Sequence, residues 1–315
     1  MDMTKFTSNN SENLYVDSTV PEVCKSKPCV LGVDEAGRGP VLGPMVYGVC
    51  YCPVGQDEDL KKLGAADSKT LTEVQREKLF EQMNKNNDYI GWSIEIISPV
   101  FISNCMYKRP KVSLNEVSHN SAIGLIKRVI AAGANIQQVF VDTVGPPEKY
   151  QDKLQAIFPT LEITVSKKAD ALFPSVSAAS ICAKVARDKA LKEWQFPEGI
   201  DGGQWGSGYP GDGVTKNFLH NTLEPVFGFP GVVRFSWSTA EKILESKGVA
   251  VSWAEEEDED ASSKENTPSV LDMFAQQQRP GGGSSSTSEK EERRPSKKAR
   301  HFYFTDRCLK PTQTL

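Results

Sequence analysis

The first third of the chain carries three apolar runs that predict strands. Residues 29–33 form a short apolar run, residues 41–52 follow it after a short loop, and residues 89–97 alternate between apolar and polar side chains. The short loop predicts that the first two strands are antiparallel neighbours. Before the third run, cap residues at 67–70 precede a stretch, residues 72–83, that predicts a helix.

Helical and strand patterns alternate in the middle of the chain. Apolar residues recur near helical spacing over residues 113–132, and Gly133 ends that helix. Further along, the pattern predicts a strand over residues 138–141, a helix over 148–158, a strand over 161–165 and a long helix, rich in alanine, over 175–194. Three consecutive strands followed by this alternation predict one mixed α/β sheet with helices on its faces.

Composition divides the chain into five predicted segments. They are a loose leader (residues 1–27), a core (28–196), an appendix with two short helices near 215–223 and 239–247 (197–250), a disordered linker (251–300) and a partner-docking tail (301–315). A glycine-rich loop around Tyr209 opens the appendix. The tail begins with the apolar, β-prone cluster His301-Phe302-Tyr303-Phe304, which suits edge pairing with another protein.

Overall composition narrows the class of protein. Hydrophobic residues make up 38% of the 315 residues and the formal net charge is −4, so the chain as a whole has no general affinity for nucleic acid. Its seven cysteines are odd in number and scattered, which indicates a reducing compartment and no structural zinc site. The polar start of the chain and the lack of an apolar run of about 20 residues predict a soluble, intracellular protein.

Two adjacent carboxylates at the end of the first apolar run are the strongest chemical signal. Asp34 and Glu35 are followed closely by Gly37, Arg38 and Gly39. Neighbouring buried acids repel one another unless a positive charge lies between them, so the pair favours a divalent cation. Glycines let the backbone approach a ligand and a guanidinium suits a phosphate. The segment therefore predicts a metal-dependent enzyme that acts on a phosphodiester.

Two further acids follow strands of the predicted sheet. Asp142 ends the fourth strand and Asp170 lies just beyond the fifth. Ligands gather at the carboxyl ends of strands in an open α/β sheet, and carboxylates there suit Mg²⁺ or Mn²⁺. Two such ions can support phosphodiester hydrolysis. Each aspartate also has a plainer interpretation as a turn residue or a helix cap, and the Gly-x-Gly pattern is weak by itself.

Taken together, six short motifs resemble the ribonuclease HII family, and within it the catalytic subunits of the eukaryotic type 2 ribonucleases H. They read DEAGRG at residues 34–39, ADSK at 66–69, FVDT at 140–143, KAD at 168–170, SAASICAKVARD at 177–188 and GSGYP at 206–210. All of them occur in the family's order. The resemblance covers residues from about 29 to 247 and weakens in the tail.

The resemblance implies a ribonuclease H-like fold with a five-stranded mixed sheet. It implies hydrolysis of RNA in RNA–DNA hybrids and incision 5′ to single ribonucleotides embedded in duplex DNA. Such an enzyme acts in ribonucleotide removal from genomic DNA and in RNA primer removal during replication. By the same resemblance, Asp34, Glu35, Asp142 and Asp170 are expected to hold two divalent ions, Mg²⁺ or Mn²⁺.

Substrate-binding residues follow from the same resemblance. Gly37, Arg38 and Gly39 are expected to place backbone groups on the ribose 2′-OH, the group that distinguishes RNA from DNA. Tyr209 is expected to sense the same hydroxyl and to pack on the adjoining deoxyribose. Without the resemblance, Tyr209 has the plainer interpretation of a core or surface tyrosine.

Basic residues near the acids are candidates for phosphate contacts. Lys69, Lys184 and Arg187 are the three that we predict, and the last two lie three residues apart on one helix face. Surface solvation or a structural ion pair explains them equally well. Lys167 and Lys168 lie close to Asp170 in the sequence and add positive charge.

The family also implies partners. Its eukaryotic members form a heterotrimer with two noncatalytic subunits, B and C, and for this chain we expect no association with a membrane. The basic block at residues 293–300 predicts a nuclear localisation signal, and hence the nucleus, or a nucleic-acid tether. Two other functions stay open at this point. One is a structure-selective DNA nuclease on the same two-metal scaffold, and the other is a hybrid-binding scaffold protein without activity.

Overall fold

A mixed sheet of six strands organises the computed structural model, which describes residues 1–65, 71–143, 145–200 and 204–250. The strands are β1 (Leu14–Asp17), β2 (Cys29–Ala36), β3 (Met45–Pro53), β4 (Gly91–Ile97), β5 (Ile136–Asp142) and β6 (Glu162–Ser166). They lie in the order β1-β4-β3-β2-β5-β6. The first four pair antiparallel, whereas β2, β5 and β6 run parallel, so the predicted mixed α/β sheet is confirmed.

The sixth strand corrects the expectation of five strands and of a loose leader. β1 pairs antiparallel with β4, with Leu14 opposite Ile96. It lies between two short helices, α1 (Thr4–Ser8) and α2 (Glu22–Ser26), and α1 buries Phe6 against the core. The strand has only four residues and half of them are exposed. So short an alternation does not distinguish a strand from a loop in the sequence.

The predicted helices are confirmed with boundaries that shift by one or two residues, and Asp57–Leu60, Pro99–Tyr107 and Ala169–Leu172 are helices that the pattern did not predict. The remaining helices are α3 (Asp57–Leu60), α4 (Glu73–Lys85), α5 (Pro99–Tyr107), α6 (Leu114–Ala131), α7 (Pro147–Ile157), α8 (Ala169–Leu172), α9 (Pro174–Lys192), α10 (Gly213–Thr222) and α11 (Ser238–Lys247), with a π-helical turn at Lys61–Ala65. Ser98 caps α5 by accepting a hydrogen bond from the Val100 N–H at 3.2 Å, and a proline occupies its first turn.

Helices cover the sheet on both faces. One face packs against α6 and α7, and the other packs against α4 and α9. The central strand β3 is consequently buried at all nine of its positions. This double burial explains why β2 and β3 read as continuous apolar runs in the sequence instead of alternating.

Two glycines let α9 lie close to the sheet. A Cβ atom on Gly32 of β2 would come within 2.2 Å of the Ser175 carbonyl carbon, and one on Gly48 of β3 within 2.7 Å of the Ala179 carbonyl oxygen. The facing side of α9 is rich in buried alanine and serine. Small residues on both sides therefore allow a close backbone approach, which brings Ser180 to the end of β2.

Residues 204–250 pack against the loop between β2 and β3. Val41 and Leu42 of this loop share a buried cluster with residues of α10 and α11, and Leu42 forms a β-bridge with Val233. These residues belong to the same compact unit as the sheet, Met1–Ser252. The predicted linker and tail lie outside the described residues.

Two further findings bear on the class of protein. All six cysteines in the described part of the chain are buried and free. Within the same residues, no helix combines the length and the apolar character that a membrane crossing needs.

Candidate active site

The carboxyl ends of β2 and β5 place two of the predicted acids side by side. Val33 lies opposite Val141, so the next residue on each strand is an aspartate, Asp34 on β2 and Asp142 on β5. On its other side, Asp142 lies opposite Ser166 of β6. Parallel pairing therefore brings the two carboxylates to the edge of the sheet where α/β proteins bind ligands.

Asp34 is buried beside α9, with 6% of the residue exposed. Its Oδ1 accepts a hydrogen bond from the Glu35 backbone N–H at 2.7 Å, and its carboxylate also accepts one from the Ser180 side chain. Burial raises the pKa of Asp34 to about 8, and the negative charges of Glu35 and Asp142 add to the rise. A cation bound next to this carboxylate would lower its pKa, because a positive charge favours the ionised form.

Glu35 points to the other face of β2, since successive side chains alternate along a strand. It lies opposite Tyr47 of β3, whose hydroxyl acts on it as a hydrogen-bond donor. Burial raises the pKa of Glu35 to about 7, an effect that the Arg38 guanidinium opposes and Asp142 reinforces. One strand end thus presents a carboxylate on each of its faces.

The turn after β6 holds Asp142. Its Oδ1 accepts a hydrogen bond from the Ala169 N–H at 2.9 Å. Lys168 forms this turn with φ 58° and ψ 37°, and it is the one non-glycine residue with a positive φ among those described. Asp170 follows in the first turn of α8 and is 6% exposed. The turn therefore links the third predicted acid to the fourth.

Three of the four acids line one cleft, which we call the acid cleft. Its lining residues are Asp34, Glu35, Asp142, Thr143, Lys167, Lys168, Ser180 and Lys184. Asp170 is buried and does not contribute to this lining. The three lysines make the cleft a mixed surface, in which a phosphate group finds positive charge next to carboxylates that suit cations.

The donor chemistry of the acid cleft fits a hard divalent cation. Its candidate ligands are carboxylate oxygens, and the raised pKa values of Asp34 and Glu35 show that their charges are incompletely compensated. Within the ranges that the structure describes, however, no three acidic, histidine or cysteine side chains are close enough together to form a complete metal cage. The assignment of individual residues as metal ligands stays a prediction.

A buried arginine binds the backbone of the glycine loop, residues 37–39, on the side that faces the protein interior. Arg234 is 0% exposed and donates hydrogen bonds to the carbonyl oxygens of Gly37 at 2.6 Å, Arg38 at 3.0 Å and Gly43 at 2.9 Å. The Trp237 ring lies 4.9 Å from the same guanidinium. Three hydrogen bonds from one planar group fix the backbone path of the loop.

Arg187 braces the same loop from α9. Its Nε donates to the Pro44 carbonyl oxygen at 3.3 Å and one Nη donates to that of Leu42 at 3.4 Å. Gly37 has φ 74°, and a Cβ atom there would come within 2.0 Å of the Arg187 Nε, so only glycine fits. A phosphate contact for Arg187 stays a prediction, since two of its donors already serve the backbone. Lys184, in contrast, lines the acid cleft.

Tyr209 lies next to the glycine loop, although it is far from it in the sequence. The residue is 52% exposed, and a Cβ atom on Gly39 would come within 3.3 Å of its ring. The neighbouring Gly208 carbonyl oxygen accepts a hydrogen bond from the Val41 N–H at 2.8 Å. Asp212 anchors the same segment, and its hydrogen bonds with Ser207 lower its pKa to about 2. A hydroxyl on an exposed ring is thus presented beside the loop.

Some residues of the site are missing from the sequence predictions. Lys69 lies outside the described residues, so its predicted phosphate contact is not located. Ser180, Arg234 and Trp237 contact the acids or the glycine loop and are not among the predicted site residues. An arginine within the apolar stretch Val232-Val233-Arg234-Phe235 is a signal that could have found one of them, because such a residue needs hydrogen-bond acceptors when it is buried.

Comparisons with known proteins agree on one family. A Ribonuclease HII family model matches residues 31–240. The A subunit of ribonuclease H2 from Bos taurus is 53% identical over 259 residues, which cover 82% of this chain and 87% of that protein. The A subunit of ribonuclease H2 from Mus musculus is 49% identical over 317 aligned positions that cover 100% of both chains.

A solved structure agrees with these relatives. The crystal structure of the ribonuclease H2 from Pyrococcus horikoshii OT3 matches with a TM-score of 0.58 at 33% identity, and the match covers 69% of this chain and 98% of that one. The family that the motifs predict is confirmed by sequence and by fold. The chain belongs to the ribonuclease HII family and is a nuclease of the ribonuclease H type.

Proposed function

We propose that this protein hydrolyses the RNA strand of RNA–DNA hybrids and incises duplex DNA 5′ to single embedded ribonucleotides by two-metal-ion catalysis. One observation carries the proposal. Glu35 lines the acid cleft and also lines the groove that contains the glycine loop and Tyr209. A strand that lies in this groove brings its phosphate to the acids while its ribose lies against the loop. The enzyme would thereby remove ribonucleotides from genomic DNA and RNA primers during replication.

Asp34, Glu35, Asp142 and Asp170 are the residues that we expect to hold two Mg²⁺ or Mn²⁺ ions. When bound, such ions activate water on one side of the phosphorus and stabilise the leaving oxygen on the other. The protein supplies fixed carboxylate oxygens. The Glu35 N–H and the Ser180 side chain orient Asp34, and the Ala169 N–H orients Asp142. This orientation is set before substrate binds.

The substrate side of the proposal depends on the lysines and on the glycine loop. Lys167, Lys168 and Lys184 place positive charge on the wall of the acid cleft, where it can neutralise phosphates of the bound strand. The glycine loop brings backbone close to the ribose, and a backbone contact to the 2′-OH distinguishes RNA from DNA. Local charge thus offsets the net charge of −4, which opposes nucleic-acid binding.

A pair of matched duplexes tests the proposal. With Mg²⁺, the protein is expected to cleave a duplex that contains one ribonucleotide and to leave the same all-DNA duplex intact. Asp34→Asn and Asp142→Asn should each reduce kcat by at least about 100-fold, because each removes a charge that acts on the transition state. Equal cleavage of both duplexes would favour a structure-selective DNA nuclease. Binding without turnover would favour an inactive scaffold protein.

Tyr209→Phe tests the role of the tyrosine hydroxyl. The change keeps the ring beside Gly39 and removes the hydroxyl, the group of Tyr209 that is proposed to sense the ribose 2′-OH. Cleavage at a single embedded ribonucleotide should fall more than cleavage along an all-RNA strand, since the single site offers one 2′-OH for recognition. The measurement is kcat/KM on both substrates, and equal losses would remove this role from Tyr209.

We also propose a heterotrimer with two noncatalytic subunits, B and C, located in the nucleus. Both relatives from mammals are A subunits of ribonuclease H2, and this naming supports the existence of further subunits. Deletion of residues 301–315 is expected to weaken co-purification with coexpressed B and C subunits, and unchanged recovery would contradict this. Replacement of the basic residues in 293–300 with alanine should shift the protein from nucleus to cytoplasm.

A further inference from the structure

A second cavity adjoins the acid cleft, and neither the motifs nor the comparisons assign it a role. It has a volume of about 220 Å³ and shares Glu35 and Asp142 with the acid cleft. Its far wall consists of Arg38, Asn115, His119, Lys149 and Tyr150, which come from the glycine loop, α6 and α7. We call this cavity the side pocket. Its position places any group bound there directly next to the acids.

The far wall of the side pocket carries oriented positive charge. Arg38 donates hydrogen bonds to the Asn115 side-chain oxygen and to the Ser118 hydroxyl, both on α6. These contacts hold the guanidinium in one place on the wall of the pocket. Lys149, an exposed residue in α7, adds a second cation. An anion in this pocket therefore meets two cations on one wall, while the carboxylates form the other.

His119 adds an uncharged polar group to the same wall of the pocket. Its ring stacks on that of Tyr150 with centroids 3.8 Å apart and planes 10° apart. Burial lowers the pKa of His119 to about 4, and the charges of Lys153 and Arg38 act in the same direction, while Glu116 opposes them. The neutral imidazole offers one donor and one acceptor and does not repel the cations.

We propose that the side pocket binds a phosphate group of the nucleic-acid strand next to the cleaved one, with Lys149, His119 and Arg38 as its contacts. This inference rests on the proposed function. The cavity is smaller than those that take whole drug-sized molecules, so its size suits a phosphate together with part of a sugar. A phosphate there would fix the strand relative to the acids, because adjacent phosphates are joined by one ribose.

The test combines protein variants with substrates that lack one phosphate charge. Lys149→Ala is assayed on a duplex with a single ribonucleotide and on a series in which one phosphate at a time is an uncharged methylphosphonate. Lys127→Ala serves as the control, since Lys127 lies on α6 but lines a groove beside Trp92 and Arg128 instead. His119→Ala provides a second variant. Thermal unfolding confirms that each variant is folded.

We expect Lys149→Ala to lower kcat/KM about tenfold or more on the charged duplex, as for a lost hydrogen bond to a charged group. At one neutralised position the difference between wild type and Lys149→Ala should disappear, because the charge that Lys149 contacts is gone, and at every other position the difference should persist. Lys127→Ala should match the wild type throughout. A constant Lys149→Ala loss at every position, or no loss at all, would overturn the inference. A wild type without ribonucleotide-dependent cleavage would instead refute the proposed function.

Discussion

At the scale of single residues, the site rests on carboxylates whose charges the fold compensates only in part. Burial raises the pKa of Asp34 to about 8 and that of Glu35 to about 7, whereas ordinary carboxyl groups titrate near pH 4. The folded protein therefore binds protons that the unfolded chain releases. Without a metal ion, its stability is full below the ordinary pKa and falls as the pH rises through the folded-state values.

Asp34→Asn is expected to remove part of this pH dependence, because an amide does not ionise. In EDTA, the wild-type midpoint of thermal unfolding should fall relative to that of the variant by at least about 2 °C between about pH 5 and about pH 8.5. Added Mg²⁺ should raise the wild-type midpoint more than the variant midpoint at the higher pH. Parallel curves for the two proteins, with and without Mg²⁺, would contradict this account.

Two substitutions of Lys168 separate the effect of backbone strain on stability from the effect of the lysine charge on substrate binding. Its left-handed φ of 58° strains any residue with a Cβ atom, and the turn it forms carries the Ala169 N–H to Asp142. Lys168→Ala and Lys168→Gly remove the same charge, but only the glycine relieves the strain. The glycine variant should be more stable than the alanine variant by about 1 kcal/mol in urea unfolding, with equal KM values for a hybrid substrate. A more stable alanine variant would show that the turn is unstrained.

The sequence reveals the acids of the site more readily than their supports. Asp34 and Glu35 are recognisable because two adjacent carboxylates follow an apolar strand, which is rare without a function. Arg234 and Trp237 act on the glycine loop from nearly 200 residues away, with sequence separations of 197 and 198 to Gly37 and Gly39. No local pattern records such a contact, because it exists only once the sheet and the last helices have packed together.

At the scale of whole elements, predictability follows the length of the pattern. Helix α6 repeats its apolar spacing over 18 residues and begins with a capping box between Ser113 and Glu116, so it is identified from sequence. β1 has four residues and α5 has nine, and neither repeats its pattern often enough. The sequence likewise does not predict the close packing of α9 on β2 and β3. This packing depends on glycines in the strands that contact alanines in a helix far away in the sequence.

Gly48→Ala tests the packing of α9. The added Cβ would lie 2.7 Å from the Ala179 carbonyl oxygen, and the backbone of neither element can move freely. We expect the free energy of unfolding to fall by about 1–3 kcal/mol, as for other overpacked sites. Gly124→Ala on α6 is the control, because its nearest neighbour would be the Tyr15 hydroxyl at 3.8 Å. That variant should be unchanged or up to about 1 kcal/mol more stable. Similar urea unfolding curves for both variants would contradict close packing of α9.

At the scale of the whole molecule, the site lies where the carboxyl edge of the sheet meets residues 204–250. The sheet supplies the acids, and the later residues supply Tyr209 and the arginine that holds the glycine loop. The proposed recognition of a ribose and the proposed cleavage of its phosphate therefore depend on parts of the chain that fold together but contain separate motifs. Arg234 is the contact that joins them, with three carbonyl acceptors in the segment after β2.

Arg234→Lys is expected to weaken these contacts with the segment after β2 while keeping the positive charge. An ammonium group lacks the planar fork that reaches three carbonyl oxygens, so at least one of them loses its partner in a buried site. We expect the free energy of unfolding to fall by at least about 2 kcal/mol. We also expect a lower kcat/KM at a single ribonucleotide, even when cleavage is measured at temperatures well below the unfolding midpoint. Arg128→Lys is the matched control, since Arg128 pairs with Asp17 at the surface. This replacement should lower the free energy of unfolding by less than about 1 kcal/mol. If the two variants match in stability and in cleavage, the path of the glycine loop does not depend on Arg234. The sheet and residues 204–250 would then act on the substrate independently of each other.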